Sequence, residues 1–287
     1  MKSLKDRVVV ITGAGSGIGR SLALACAARG ARVAICDKNR TALQETVSLL
    51  EDQGAAVLAR ELDVSAKGEF HAFAQKVQEQ WGGAAVLINN AGVALSESFV
   101  EMSRSDFEWL FNINFWGVVN GCEAFLPQIQ AQEEGAIINI SSCFGLVAMP
   151  TQSAYCASKF AVRGFTEALR AELRKTSVHT MVVHPGGVRT NIVRNGKHYQ
   201  QHTQASMPQD LIAERFDKIA LSSPEQVAEK ILRALQKKQG RLVVGPDALV
   251  FDWLARFSPR LSNVVASWMN HTVPGPVREV QKVQKVG

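Results

Sequence analysis

The segment Val8-Val-Val-Ile-Thr-Gly-Ala-Gly-Ser-Gly-Ile-Gly19 decides the fold of this chain. It begins with a β-branched apolar run, which favours a buried strand. Glycines follow where the backbone must turn tightly, and residues 18–29 have the apolar spacing of a helix that ends at Gly30. A strand, a tight turn and a helix in this order predict the opening of a βαβ unit.

The same alternation continues along most of the chain. Further strands are predicted at residues 31–36, 55–62, 86–89, 136–140, 178–184 and 241–244, and helices at 40–52, 69–81, 104–130, 154–175 and 224–237. Strands that alternate with helices predict an α/β protein with a doubly wound parallel sheet of about seven strands and helices on both faces. Such sheets bind ligands beyond the carboxyl ends of their strands, so the functional residues are expected at that edge.

No composition shift or linker divides the chain, so we predict one catalytic domain at residues 1–245 and an extension at 246–287. Apolar residues of the extension repeat at helical spacing and are interrupted by Pro259: Val250, Trp253, Leu254, Phe257, Leu261, Val264, Val265 and Trp268. This amphipathic pattern is consistent with packing on the domain or on a sister subunit, with a cap over the substrate pocket, or with peripheral membrane contact.

Composition narrows the class of protein. A net charge of +6 indicates a mildly basic surface, and we expect no nucleic-acid partner. There is no signal-peptide core and no apolar run of about 18 residues, so a soluble, cytoplasmic protein is expected. The five cysteines lack C-x-x-C spacing and the histidines are scattered, so we predict neither a disulfide framework nor a metal site.

Tyr155 and Lys159 are the residues most indicative of chemistry. At a spacing of four they share one face of the predicted helix, and a cation beside a phenol favours the phenolate and lowers its pKa. Ser142, at the end of the strand before them, could hydrogen-bond the same reacting oxygen. The alternative is an ordinary surface pair on an amphipathic helix, so the other motifs must decide.

Asp37 at the end of the second predicted strand suggests a nucleotide. A carboxylate about 20 residues beyond such glycines can accept hydrogen bonds from the adenosine ribose, and it repels a 2′-phosphate. NAD(H) is therefore favoured, and Ser16 supplies no positive charge for NADP(H). Lys38 and Arg40 beside Asp37 leave NADP(H) open.

Together with Asn89-Asn-Ala-Gly92, Asn114 and Pro185-Gly186, these motifs resemble the short-chain dehydrogenase/reductase family from about residue 5 to residue 245. The resemblance implies a Rossmann fold and an NAD(P)-dependent alcohol dehydrogenase or carbonyl reductase. It implies the catalytic residues Asn114, Ser142, Tyr155 and Lys159. Tyr155 would be the general acid/base, Ser142 would stabilise charge on the substrate oxygen, and Asn114 would hold a water that links Lys159 to solvent.

The resemblance also implies which positions bind the cofactor. Asp63 and Val64 would border the adenine, and Val188 and Thr190 the nicotinamide carboxamide. The full set is Gly13, Ser16, Gly17, Ile18, Gly19, Asp37, Asp63, Val64, Asn90, Ala91, Gly92, Tyr155, Lys159, Pro185, Gly186, Val188 and Thr190.

The long connection at about 188–223 is expected to close over the substrate. Its apolar residues, and those after Ser142, favour a hydrophobic alcohol, ketone or aldehyde over a small acid. The resemblance implies a homodimer or homotetramer built through the helices at 104–130 and 154–175. Two alternatives stay open, a catalytically silent dinucleotide-binding sensor or scaffold, and a membrane-associated reductase that uses its C-terminal tail.

Overall fold

The computed structural model describes residues 1, 3–198, 209–258 and 261. The strands are β1 (Val8–Thr12), β2 (Arg32–Asp37), β3 (Val57–Glu61), β4 (Val86–Asn89), β5 (Leu95–Ser96), β6 (Gly135–Ile140), β7 (Val178–Pro185), β8 (Lys197–His198) and β9 (Arg241–Val244). The α-helices are α1 (Gly17–Ala27), α2 (Arg40–Asp52), α3 (Lys67–Trp81), α4 (Arg104–Phe111), α5 (Gly117–Gln130), α6 (Ser153–Glu172), α7 (Gln209–Ile219), α8 (Pro224–Gln236) and α9 (Pro246–Phe257).

Seven parallel strands form the main sheet in the order β3-β2-β1-β4-β6-β7-β9. Strand β1 lies third in this order, and the chain winds outward from it first on one side and then on the other. The predicted doubly wound α/β fold is confirmed. The order reverses between β1 and β4, and the carboxyl ends of these two strands open the crevice in which such folds bind ligands.

Side chains of β1 alternate between two apolar layers. Val9 and Ile11 join the core beneath α1, α2 and α8, whereas Val8 and Val10 join the core beneath α3, α5 and α6. Both faces of the sheet are therefore covered by helices. This is why β1 is a continuous β-branched run, since neither of its faces meets water.

The predicted helix at 104–130 contains a π-helical turn at Asn112–Trp116 between α4 and α5. Such turns are short and often occur at functional sites. Asn114 lies in this turn and is fully buried. The sequence predicted one continuous helix because a π turn leaves the apolar pattern on both sides intact.

The described parts of the connection at 188–223 contain a strand and a helix that the sequence did not predict. Strand β8 pairs with β5 in a separate two-stranded sheet, and helix α7 fills the second half of the connection. Two apolar residues assigned to this connection, Tyr199 and Met207, lie outside the described residues.

Helix α9 begins after Gly245 and ends before Pro259, as a proline-interrupted pattern predicts. Its buried residues are Ala248 and Phe251, whereas Val250, Trp253 and Phe257 are 57–72% exposed. The apolar stripe predicted here thus faces away from the domain. Val264, Val265 and Trp268 lie outside the described residues, and among those described no helix is long and apolar enough to cross a membrane.

Candidate active site

The glycine-rich turn after β1 is shaped by contacts that exclude side chains. A Cβ on Gly13, whose φ is +65°, would lie 2.8 Å from Cα of Ala91, and one on Gly19 would lie 2.1 Å from the Gly13 carbonyl oxygen. The Asn90 Nδ2 donates to the Thr12 carbonyl at 2.9 Å and fixes the turn against the end of β4. The result is a bare backbone cradle that suits a pyrophosphate.

The cradle opens onto the N-terminus of α1. Ser16 is the N-cap, and its side chain makes no capping hydrogen bond, while Ile18 packs on the core below. Backbone N–H groups at such a terminus favour an anion. Thr190 Cγ2 lies 2.9 Å from the Cβ position of Gly17, so the loop after β7 reaches the glycine turn.

Asp37 lies beside the same turn. Its Oδ2 accepts a hydrogen bond from the Gly15 backbone nitrogen at 2.8 Å, and its Oδ1 accepts one from the Asn39 nitrogen. Each oxygen keeps a further lone pair for a ligand hydroxyl. Lys38 points elsewhere, because its Nζ bonds to Asp63 at 2.7 Å.

The predicted adenine side combines a charged and an apolar group. Burial opposes ionisation of Asp63, but hydrogen bonds from Lys38 and Ser65 outweigh it, and the pKa of Asp63 is lowered. Val64 is buried, and its carbonyl accepts from Asn120 Nδ2 at 3.0 Å. The segment that follows strand β3 is therefore hydrogen-bonded to helix α5.

Ser142, Tyr155 and Lys159 come together at the ends of β6 and α6. The Ser142 hydroxyl donates to Cys143 Sγ at 3.8 Å and accepts from the Phe144 nitrogen at 3.1 Å, and it lies near enough to Tyr155 to affect the pKa of the phenol. Lys159 Nζ lies 5.7 Å from the centre of the Tyr155 ring. Lys159 and Tyr155 are 3% and 9% exposed, so the pair is not the surface pair of the alternative interpretation.

The predicted lowering of the Tyr155 pKa by Lys159 is wrong for this structure. Burial raises the pKa of Tyr155 above its ordinary value, and the nearby Ser142 hydroxyl only partly opposes this rise. Burial also lowers the pKa of Lys159 to about 8. Desolvation disfavours both charged forms, and it is the main cause of both changes in pKa.

Asn114 and Lys159 meet at Gly92. Asn114 accepts from the Val93 nitrogen at 2.8 Å and donates to the Val93 carbonyl and to Ser158 Oγ. A Cβ on Gly92 would lie 3.2 Å from Asn114 Oδ1 and 3.3 Å from Lys159 Nζ. Glycine at this position leaves the space between the amide and the ammonium open.

The loop after β7 holds the remaining predicted cofactor residues. Pro185 ends β7, the Gly186 nitrogen donates to the Val244 carbonyl at 2.8 Å, and Val188 is buried and pairs with Ser222. These residues lie at the carboxyl end of the sheet, as predicted. The Gly186–Val244 and Val188–Ser222 contacts are both made by backbone atoms.

His184 is not among the site residues predicted from the sequence. This residue of β7 is fully buried, and its Nδ1 lies 3.0 Å from the carbonyl oxygen of Ser142. Burial lowers the pKa of His184 to about 4, so the ring is neutral near pH 7. Its position directly before the Pro185-Gly186 motif was the available signal.

An apolar cluster surrounds Tyr155. Leu95 is buried against Tyr155, and Val93, Trp109 and Phe144 pack on the same cluster. The Phe144 ring stands edge-on to the Tyr155 ring at 6.3 Å. In the described part of the chain, no group of three or more His, Cys, Asp or Glu side chains is placed to hold a metal ion.

Comparison with known proteins agrees with this geometry. The family model for short chain dehydrogenases matches residues 7–201, and the chain therefore belongs to the short-chain dehydrogenase/reductase family, a family of oxidoreductases. It is 44% identical over 259 residues to the Mycobacterium tuberculosis protein named Putative oxidoreductase SadH, across 89% of this chain and 92% of that protein.

Two solved structures show the nucleotides that such folds bind. A short chain dehydrogenase/reductase from Burkholderia phymatum in complex with NAD is 28% identical, with a TM-score of 0.80 and coverage of 97% of this chain and 99% of that one. An alcohol dehydrogenase from Thermococcus sibiricus complexed with 5-hydroxy-NADP is 26% identical, with a TM-score of 0.71 and coverage of 84% and 96%.

Proposed function

We propose that this protein is an NAD(H)-dependent alcohol dehydrogenase or carbonyl reductase with a hydrophobic substrate. The observation that carries the proposal is the convergence of Ser142, Tyr155 and Lys159 at the sheet edge that also bears the glycine cradle and Asp37. The cradle suits a dinucleotide because its glycines allow a tightly packed backbone turn at the N-terminus of α1, where N–H groups favour an anionic pyrophosphate. A bound nicotinamide would supply or accept the hydride.

In the proposed mechanism Tyr155 exchanges a proton with the substrate oxygen. Because its pKa is raised, the phenol is protonated at neutral pH and has a proton to give to a carbonyl oxygen. The same rise makes it a weaker acid, so the developing charge on the substrate oxygen must be stabilised by its neighbours. Ser142, whose side chain lies near Tyr155, would hydrogen-bond that oxygen and stabilise the developing charge. In the oxidative direction, Tyr155 must take the proton back.

Lys159 would replenish the Tyr155 proton. With a pKa of about 8 it gives up a proton far more readily than an exposed lysine. The open space at Gly92 is the route by which water could connect Lys159 to Asn114. Asn114 already uses its side chain on Val93 and Ser158, so its part would be to hold that space open and orient the water.

Two contacts favour NAD(H) over NADP(H). The Asp37 carboxylate, which lies beside the glycine turn, would accept from ribose hydroxyls and repel a 2′-phosphate. Lys38, the neighbouring cation that could neutralise such a phosphate, is paired with Asp63 at 2.7 Å. The apolar cluster of Leu95, Trp109 and Phe144 around Tyr155 supports the hydrophobic substrate.

Exposed aromatic residues support the proposed homo-oligomer. Trp116, next to α5, is 50% exposed and Phe160 of α6 is 40% exposed, within the two segments expected at the subunit interface. Light scattering of wild type and of Trp116→Arg would test this. A monomeric wild type would contradict it.

The function is tested with Tyr155→Phe and a panel of hydrophobic alcohols, ketones and aldehydes. Wild type should turn over panel members with NAD(H), as seen in nicotinamide absorbance, and Tyr155→Phe should lose at least about a thousandfold in kcat. NADH affinity of the variant should stay within about threefold, because the phenol oxygen is one of many contacts. NADH binding without turnover by wild type would favour the sensor alternative.

A further inference from the structure

The C-terminal helix α9 contacts the loop after β7 through Asp247. The Asp247 Oδ2 accepts a hydrogen bond from the backbone nitrogen of Gly187 at 2.6 Å. Gly187 directly follows the Pro185-Gly186 pair at the predicted nicotinamide end of the site. A carboxylate of the extension therefore holds the backbone of a predicted cofactor loop.

The glycines around Asp247 are fitted to its carboxylate. A Cβ on Gly186 would lie 2.2 Å from Asp247 Oδ1, and one on Gly245, whose φ is +108°, would lie 2.6 Å from the same atom. In the part of the chain that the structure describes, this Oδ1 is buried and has no hydrogen-bond partner. Any side chain at residue 186 would push the carboxylate off Gly187.

The same loop is held from its other side. The Ser222 nitrogen donates to the Gly187 carbonyl at 3.2 Å, and the Arg189 nitrogen donates to the Ser222 carbonyl at 3.1 Å. Residues 187–189 thus lie between Asp247 and the segment that follows α7. Thr190, the next residue, packs on Gly17 of the glycine turn.

Helix α9 also reaches the substrate side. Ala248 and Phe251, which follow Asp247 on α9, are buried against Cys143 and Val147 in the segment after Ser142. One helix therefore contacts both the predicted nicotinamide loop and the predicted substrate loop. It lies outside the segment that the family model matches.

We propose that Asp247 is a positioning residue that fixes the loop at 186–190 in the geometry that binds the nicotinamide half of the cofactor. Helix α9 of the extension would then be part of the cofactor site. This inference rests on the proposed function, because it assumes that the loop contacts a nicotinamide cofactor.

The test compares Asp247→Ala with Asp252→Ala, a matched change on the same helix. Asp252 pairs with Arg241 at 3.0 Å and anchors α9 without touching the loop. Affinity for NADH is measured by calorimetry, and Tm by calorimetric melting. Asp247→Ala should weaken NADH binding roughly tenfold, whereas Asp252→Ala should lower Tm and leave NADH affinity within about twofold.

Two further variants separate positioning from folding. Asp247→Asn keeps an acceptor for the Gly187 nitrogen and should retain NADH affinity within about threefold. Gly186→Ala should bind NADH poorly, and adding Asp247→Ala should restore part of that affinity by removing the overlapping atoms.

The outcomes are distinct. If wild type binds neither NADH nor NADPH, the proposed function fails and this inference fails with it. If wild type binds NADH and Asp247→Ala binds equally well, only the role of Asp247 is overturned. The role of Asp247 is also overturned if Asp252→Ala loses as much NADH affinity as Asp247→Ala, because the effect would then come from loss of the helix.

Discussion

His184 Nδ1 lies 3.0 Å from the carbonyl oxygen of Ser142, so a buried histidine of β7 braces the backbone of the predicted catalytic serine. A carbonyl oxygen can only accept, and the proton must therefore be on Nδ1 of the neutral ring. Nε2 then carries a lone pair, and within the described residues it is buried without a partner. Protonation of this ring would place a charge in the core.

The first prediction concerns acid sensitivity. The pKa of His184 is lowered from 6.5 to about 4 in the folded protein, so between these values the unfolded chain binds more protons. The stabilisation is complete above about pH 6.5 and is lost as pH falls towards 4, by up to about 3 kcal/mol. His184→Asn, which can still donate to Ser142, should lack this loss.

Urea unfolding at pH 7 and pH 4.5 would measure it. His71→Asn, an exposed change on α3, is the matched control. Wild type and the control should lose stability in parallel, and His184→Asn should lose less. If all three proteins lose the same free energy of unfolding between pH 7 and pH 4.5, His184 is not the group responsible for the loss.

Much of the fold could be predicted because it is encoded locally. Buried strands such as β1 are continuous β-branched runs, and helices such as α8 begin at a capping serine, Ser223, with proline at the next position. The two-residue strands β5 and β8 could not be predicted, since their pairing depends on contacts across the fold. The π turn at Asn114 could not be predicted either, because the apolar pattern on both sides of it is that of a helix.

The candidate site likewise contains residues that could be predicted from local motifs and residues that could not. The motifs around Gly13, Tyr155 and Lys159 are each contained in a short segment, and the parallel sheet brings their ends together at one edge. His184 and Asp247 contact partners 42 and 60 residues away in sequence, so these contacts cannot be predicted from local patterns. The sign of the Tyr155 pKa change was wrong because the sequence does not show how completely the pair is desolvated.

The second prediction concerns cofactor choice. Asp37→Ser removes the carboxylate that would repel a 2′-phosphate, and Asp63→Asn removes the charge that pairs with Lys38. Asp37→Ser should weaken NADH about tenfold and strengthen NADPH. The double variant should favour NADPH further, because Lys38 is then released. Fluorescence titration of both nucleotides measures the ratio, and an unchanged ratio would contradict the assignment of Asp37.

The third prediction concerns the glycine cradle. A Cβ on Gly19 would lie 2.1 Å from the Gly13 carbonyl oxygen, whereas a Cβ on Gly164 in α6 meets nothing within 4 Å. Gly164→Ala should therefore stabilise the protein by about 0.5–1 kcal/mol, because alanine restricts the unfolded chain. Gly19→Ala should destabilise it by about 1–3 kcal/mol.

Denaturant unfolding of the two variants provides the comparison. NADH binding should be lost in Gly19→Ala and unaltered in Gly164→Ala. Equal stability of the two variants would mean that the turn can relax, and the cradle would then not be the reason for glycine at this position.

The last prediction concerns the cost in stability of burying Lys159, the residue proposed to return a proton to Tyr155. Burial lowers the pKa of this lysine from 10.5 to about 8, so below pH 8 the folded protein bears the full cost of a buried ammonium, up to about 3 kcal/mol. That cost disappears as pH rises from 8 to 10.5, where the unfolded chain still holds the proton. Lys159→Met should therefore be more stable than wild type at pH 7, with a gap that narrows by pH 10, and it should lose turnover. Urea unfolding at both pH values measures the gap. If the difference in free energy of unfolding between Lys159→Met and wild type is the same at both pH values, the pKa of Lys159 is not lowered by burial. The proton transfer proposed through Lys159 would then lose its physical basis.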